Sequence, residues 1–190
     1  MMSKAYNQEE TYTAISLTEV PVGEYDGCTF KHCDWAEGSL AGYVFVDCTF
    51  QDCDLSLVKL HDTALRGVVF KSCKLQGLHF DHAHTFLFEV SFQHCKLNLS
   101  SFYQRVLKKT KFAECQLEEV DFAAADLSQA VFSECNLNGA SFDNTNLEKA
   151  DFSTAYGYTI DPEQNRVKKA KFSRMGLEGL LTKYDIQVKN

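Results

Sequence analysis

The chain has 190 residues, with 26 Asp and Glu against 19 Lys and Arg, a net charge of −7 and 45% hydrophobic residues. That acid excess disfavours direct binding of nucleic acid, and no apolar run is long enough to span a membrane. The size predicts one domain, and the eight cysteines pose a choice between disulfides, a metal framework and buried thiols.

Residues 1–14 are polar, with Lys4, Glu9 and Glu10. They show no apolar core of a secretory signal, so a reducing, cytoplasmic setting is expected. Residues 1–19 read as an N-terminal tail. Ile15, Val20 and Tyr25 keep a five-residue phase, so a partial coil is expected to start near Val20.

From 20 to 157 a Phe or Leu recurs at every fifth position: Phe30, Trp35, Leu40, Phe45, Phe50 and onward to Phe80, then Leu87 to Phe152 after a slip of two residues. A period of five matches neither the 3.6 of a helix nor the 2.0 of a strand. It marks a solenoid, whose units bury their apolar faces against neighbouring units. In steps of twenty the residues fall into four columns. One holds Phe30, Phe50, Phe70, Phe92, Phe112, Phe132 and Phe152, and another holds Phe45, Leu65, Leu87, Leu107, Leu127 and Leu147. Twenty residues therefore make one four-sided coil, stacked on the next at the ~4.8 Å spacing of strands.

All eight cysteines sit two positions before a repeating Phe or Leu, at Cys28, Cys33, Cys48, Cys53, Cys73, Cys95, Cys115 and Cys135. Elsewhere that slot holds Ala, Val, Thr or Ser. Confinement to one slot argues for a small, buried thiol. The ~4.8 Å between coils exceeds a disulfide, and separations in multiples of five do not match a zinc knuckle.

The units Ala125-Asp126-Leu127-Ser128-Gln129, Cys135-Asn136-Leu137-Asn138-Gly139, Thr145-Asn146-Leu147-Glu148-Lys149 and Ala150-Asp151-Phe152-Ser153-Thr154 resemble the consensus of the pentapeptide-repeat family, Ala-(Asp/Asn)-Leu-X-X. The resemblance covers about residues 25–157. It implies an all-β fold, a right-handed quadrilateral β-helix with a narrow, dry core. About six to seven coils would give a rod roughly 30–35 Å long.

The slip falls at Asp81-His82-Ala83-His84-Thr85-Phe86, where an outward corner is expected, with His82, His84 and Phe86 as candidate surface residues. His61, His79 and His94 lie within a coil or so. A metal site there is conceivable, but outward polar positions in such a solenoid are permissive, and no metal is assigned. Arg105 occupies an inward slot. Either the corner opens so that its guanidinium reaches water or the register is locally irregular, because a buried unpaired arginine is energetically excluded.

Residues 158–190 read as an irregular last coil, a cap and a dimerisation segment. Residues 156–169 form the irregular coil, and Asp161-Pro162-Glu163 resembles a helix start. Ala170-Lys171-Phe172 revives the repeat, placing Phe172 under Phe152. Leu177, Leu180, Leu181 and Tyr184 have the spacing of a short amphipathic helix, and Ile186 and Val188 alternate like a strand. Solenoid ends need caps, and the family's usual device is a C-terminal helix that also dimerises. Leu177, Leu180, Leu181, Tyr184 and Ile186 are the expected homodimer contacts, with capping alone as the alternative.

No phosphate loop, nucleophile elbow or helical His pair is present, so no enzyme and no cofactor is expected. A metal-dependent enzyme would rest on the histidines alone. Charge carries the functional signal. Glu114, Glu118, Glu119, Asp121, Asp126, Glu134, Asp143, Glu148 and Asp151 face only Lys149 between 112 and 152, a net −8. These nine are the candidate partner-binding acidic face. The ending Gly179-Leu180-Leu181-Thr182-Lys183-Tyr184-Asp185-Ile186, the paired columns and the mid-chain irregularity are similar to the Qnr and mycobacterial fluoroquinolone-resistance branch. That resemblance implies a dimeric DNA mimic whose partner is DNA gyrase or topoisomerase IV. A generic protein-interaction scaffold is the alternative.

Overall fold

The computed structural model describes residues 5–187. Thirteen short strands run in chain order: β1 Ala5–Gln8, β2 Thr11–Thr13, β3 Gly23–Asp26, β4 Thr29–Lys31, β5 Val44–Val46, β6 Thr49–Gln51 and β7 Ala64–Arg66. They continue with β8 Val68–Lys71, β9 Val90–Gln93, β10 Lys111–Ala113, β11 Val131–Ser133, β12 Asp151–Phe152 and β13 Lys171–Phe172. Their pairings are parallel, each strand lying beside the strand one coil away.

The chain thus returns to the same side once per coil, and four sides can be followed. The first is a nine-stranded sheet from β2 to β13. The second is a ladder of single bridges through Asp34, Asp54, Lys74, Lys96, Gln116, Asn136 and Tyr156. The third pairs Ser39 with Lys59, then runs through His79, Ser101, Asp121 and Ser141. The fourth is the sheet β1-β3-β5-β7, followed by a separate ladder through Val106, Asp126, Asn146 and Arg166. Nine strands on the first side make eight steps, about 38 Å at the strand spacing.

Each side ends two residues after its inward Phe or Leu, at a left-handed residue such as Glu114 (φ 53°), Glu119 (55°), Ala124 (56°) or Gln129 (61°). That conformation costs an L-residue about 1–2 kcal/mol. Burial of the inward residues and the ladder hydrogen bonds offset it. Along the first side the rings from Tyr12 through Phe30, Phe50, Phe70, Phe92, Phe112, Phe132, Phe152 and Phe172 stack with centroids 4.7–5.4 Å apart. Phe80, Phe102, Phe122 and Phe142 stack on the third side, and Phe92 and Phe102 meet edge to face at 76°. Aromatic contacts of this kind add about 0.5–1.5 kcal/mol beyond burial.

The eight thiols are free and buried. Most polar side chains in that slot donate a hydrogen bond across the coils. Cys73 and Cys135 direct Sγ at the carbonyls of Phe50 and Phe112 one coil back, both at 3.4 Å. Thr63, Ser100 and Thr145 donate to the equivalent carbonyls of Leu40, Leu75 and Phe122 at 2.7–2.9 Å. Burial raises the Cys33 thiol to about 11 and the Cys48 thiol to about 12, so neither supplies a thiolate at neutral pH.

Four expectations need correction. The solenoid begins at Ala5, inside the segment read as a tail, because β1 pairs with β3 and β2 with β4. The offset there is 18 residues (Thr11 to Thr29), which hides the coil from a search in fives. Leu87 does not continue the fourth column. His84 N–H reaches Thr63 O at 2.8 Å, Glu89 N–H reaches Leu65 O at 3.0 Å, and the residues between them bulge outward. Leu87 ends there at φ 56° and 63% exposed, while Phe88 turns partly inward.

Arg105 follows neither of the two arrangements expected for it: its guanidinium does not reach water, and its own side keeps the regular register, with its N–H on Phe102 O at 3.0 Å and the Leu107 N–H on Asp126 O at 2.7 Å. It is buried, and its Nη2 donates to the carbonyls of Asp81 and Ala83. Its guanidinium lies 5.2 Å over the Phe88 ring. Burial lowers its pKa.

The expected C-terminal amphipathic helix is two 3-10 turns, Leu177–Leu180 and Thr182–Tyr184. A Cβ at Gly176 or Gly179 would collide with Tyr158, so the chain hugs the coil end in tight turns. Residues 156–169 form a coil in which Tyr156 and Arg166 keep their ladders. Asp161 caps a single turn, accepting the Glu163 N–H at 2.9 Å on Oδ1 and the Asn165 N–H at 3.1 Å on its carbonyl. Phe172 stacks on Phe152 at 5.4 Å, as expected. Val188 lies outside the described residues.

Candidate protein-interaction surface

The nine acids do not share one side. Glu114 and Glu134 stand at the corner between the first and second sides, Glu118 on the second and Glu119 at the next corner. Asp121 and Asp143 lie on the third. Asp126 and Glu148 lie on the fourth and Asp151 on the first.

Neutralisation divides them. Glu148 pairs with Arg166 and Asp151 with Lys171, each at 2.9 Å. Asp126 accepts from the Ser128 N–H and Asn146 Nδ2, both at 2.9 Å. The Asp151 pKa is lowered by the hydrogen bond from Ser153 and then by Lys171. On the second and third sides no lysine or arginine pairs with an acid of this set among the described residues. Glu118 accepts from Asn136 at 2.6 Å and Asn98 at 3.3 Å, Asp121 accepts the Ala123 N–H at 2.8 Å and Asp143 accepts from Ser141 at 3.3 Å. Glu114 faces only His94 at 3.3 Å. Glu114, Glu119, Glu134 and Asp143 are exposed. Two adjoining sides thus carry six carboxylates with no lysine or arginine partner, whereas on the other two sides Glu148 and Asp151 are paired with cations and Asp126 meets neutral donors alone.

At the slip, Phe86 and Leu87 project, each 63% exposed, beside Val106 at 64%. The Arg66 guanidinium lies 5.6 Å over the Phe86 ring. Two open notches flank the bulge, of about 490 and 420 Å³. Lys108 lines both, and Lys109 and Lys111 line the smaller. Neither holds a nucleophile beside a general base. His84 is exposed, whereas His82 stacks on His79 at 4.9 Å with Asp81 against both rings. Sequence reasoning named His82 and His84 and missed Asp81, although its spacing of two from His79 and one from His82 was on view.

Of the five proposed dimer contacts, Leu177, Tyr184 and Ile186 are exposed, at 46%, 52% and 56%, and Leu180 and Leu181 are partly buried. Leu180 packs on the core and so covers the coil end. Lys183 ties the cap to the last coil through Asp161 at 2.8 Å and Glu163 at 2.6 Å, with Tyr184 Oη donating to Glu163 at 2.8 Å. None of the described helices is long and apolar enough to cross a membrane.

Comparison with known proteins agrees with this architecture. The chain is similar to the full-length structure of QnrB1, a plasmid-mediated fluoroquinolone resistance protein, with TM-score 0.59 and 16% identity over 96% of this chain and 100% of that one. A trypsin-treated variant of QnrB1 gives TM-score 0.51 and 20% identity over 97% and 100%. At such identities the likeness concerns the fold. No curated protein sequence matches the chain. A family profile described as a pentapeptide repeat region matches residues 25–102 and 85–181, and the chain therefore belongs to the pentapeptide-repeat family.

Proposed function

We propose that this protein is a non-enzymatic DNA mimic that docks its acidic second and third sides into the DNA-binding groove of a type II topoisomerase, gyrase or topoisomerase IV, and so alters fluoroquinolone sensitivity. The six uncancelled carboxylates on two adjoining sides carry this reading. They form a directional negative field on a rod, complementary to a basic groove that receives DNA. The full-length fold likeness to QnrB1 supports the choice of partner. The protein works in the cytoplasm, where such enzymes act, and as a homodimer through Leu177, Tyr184 and Ile186. Two acidic halves then meet at the centre of a rod about 75 Å long, by doubling the single-chain length.

Supercoiling by purified gyrase, with and without a fluoroquinolone, tests the activity. At low salt and micromolar protein the expected result is inhibition of supercoiling or protection from drug-induced cleavage, and no effect on either contradicts the proposal. Light scattering tests the dimer, where a mass twice that of the chain is expected and a strictly monomeric mass rejects it. The projecting Phe86, Leu87 and Val106 favour a second reading, a scaffold that holds some other protein through an apolar knob. Substitution of these three by serine would then abolish partner capture while charge reversal would not.

A further inference from the structure

We infer that His79, Asp81 and His82 form a binding site for a divalent transition-metal ion, on the third side just before the bulge. One ligand atom from each of the three lies within 4.8 Å of the other two. His79 Nδ1 is 3.3 Å from Asp81 Oδ1, and His82 Nε2 is 3.5 Å from Asp81 Oδ2. Two ligand atoms bound tetrahedrally at about 2.0–2.1 Å from zinc stand about 3.3–3.4 Å apart. Each histidine thus stands at about co-ligand distance from one oxygen of the Asp81 carboxylate. The two rings are stacked with planes 12° apart, so at least one of these exposed rings must turn out of the stack for both in-plane lone pairs to meet at one ion.

A second observation points the same way. Asp81 Oδ1 is shielded from solvent and makes no hydrogen bond, with His79 Nδ1 at 3.3 Å as its nearest polar neighbour, although a buried carboxylate oxygen demands a donor or a cation. A metal ion would satisfy it. The backbone beneath the site is fixed: His82 N–H bonds to His79 O and Ala83 N–H to Phe80 O, both at 3.1 Å. Phe80 is buried in the aromatic stack, and Arg105 holds the Asp81 carbonyl. The backbone that carries the ligands is thus held by groups that do not touch the metal. Two imidazoles and a carboxylate suit zinc, cobalt, nickel or copper better than calcium or magnesium. Three protein ligands leave a position open to water or to a residue of a docked protein. The cysteines do not compete, being buried on the opposite side of the wall.

Titration of the metal-stripped full chain with Zn²⁺, followed by calorimetry and by histidine ring resonances, tests this directly. One ion per chain is expected, with the His79 and His82 resonances shifting first. His79→Ala, Asp81→Asn and His82→Ala should each weaken binding roughly tenfold or more, while His61→Ala and His94→Ala leave it unchanged. Absence of uptake by the folded wild-type chain overturns the site. So does uptake whose shifts spread evenly over His32, His61 and His94, or which survives all three ligand variants. None of these outcomes depends on topoisomerase binding.

Discussion

Arg105 shows how one residue accommodates a break in the repeat. Its neighbours in the inward slot one and two coils on are Ala125 and Thr145, so a guanidinium would be intolerable there in a regular coil. The two extra residues near 85–88 leave room, and the freed carbonyls of Asp81 and Ala83 supply acceptors. Arg105→Ala removes both hydrogen bonds and opens a void under Phe88, so a loss of about 2–4 kcal/mol is expected, measured by denaturant unfolding. Deleting His84 and Thr85 should draw Leu87 into the fourth column but strand the arginine. The deletion alone is therefore expected to destabilise, and joined to Arg105→Ala to recover much of the loss, a coupling readable in a double-mutant cycle. Additive effects would show that Arg105 and the bulge are independent. The sequence exposed Arg105 as an anomaly, but its partners are backbone carbonyls, which leave no trace in residue identities.

At the scale of elements, legibility followed phase. The five-residue period gave every coil from Phe30 to Phe80 and from Phe92 to Phe152, because each inward Phe or Leu is buried. Tyr12 stacks on Phe30 across an 18-residue coil and so fell out of register in the count. Leu177, Leu180, Leu181 and Tyr184 have helical spacing, yet packing of Gly176 and Gly179 against Tyr158 tightens the chain into 3-10 turns. Tertiary contact overrode local pattern there. The cap instead depends on charge. Lys183 holds the Asp161 and Glu163 carboxyls below their ordinary pKa values. A depressed folded-state pKa means that this stabilisation is complete above about pH 4, the unfolded value, and is lost as pH falls through the depressed values. The protection factor of the Ile160 amide, whose N–H bonds to Gly179 O at 2.9 Å, should therefore fall on acidification before those of the core amides do. Lys183→Ala should produce the same loss of protection already at neutral pH. Equal protection of Ile160 at pH 7 and pH 3 would show that the ion pairs do not hold the cap.

For the whole molecule, the acidic segment was visible in the sequence as nine acids against one lysine, but its direction was not. Arg166 and Lys171 lie 18 and 20 residues beyond the carboxylates they neutralise, and only the coil period brings them together. Of the seven that remain without a lysine or arginine partner, all but Asp126 lie on the second and third sides or at their corners. The left-handed corner slots of Glu119 and Glu134 take lysine elsewhere, at Lys109 and Lys149. Charge reversal at Glu114, Glu119 and Glu134 should therefore leave thermal stability within a few degrees of wild type while cancelling the field, because three lysines then offset the three remaining carboxylates. Competition for purified gyrase between the protein and labelled linear DNA tests this most directly. The wild-type chain is expected to displace the DNA, less effectively as salt rises, and the triple variant Glu114→Lys, Glu119→Lys, Glu134→Lys to displace none while remaining folded. Failure of the wild-type chain to displace DNA at low salt, or equal displacement by the folded triple variant, would contradict the account.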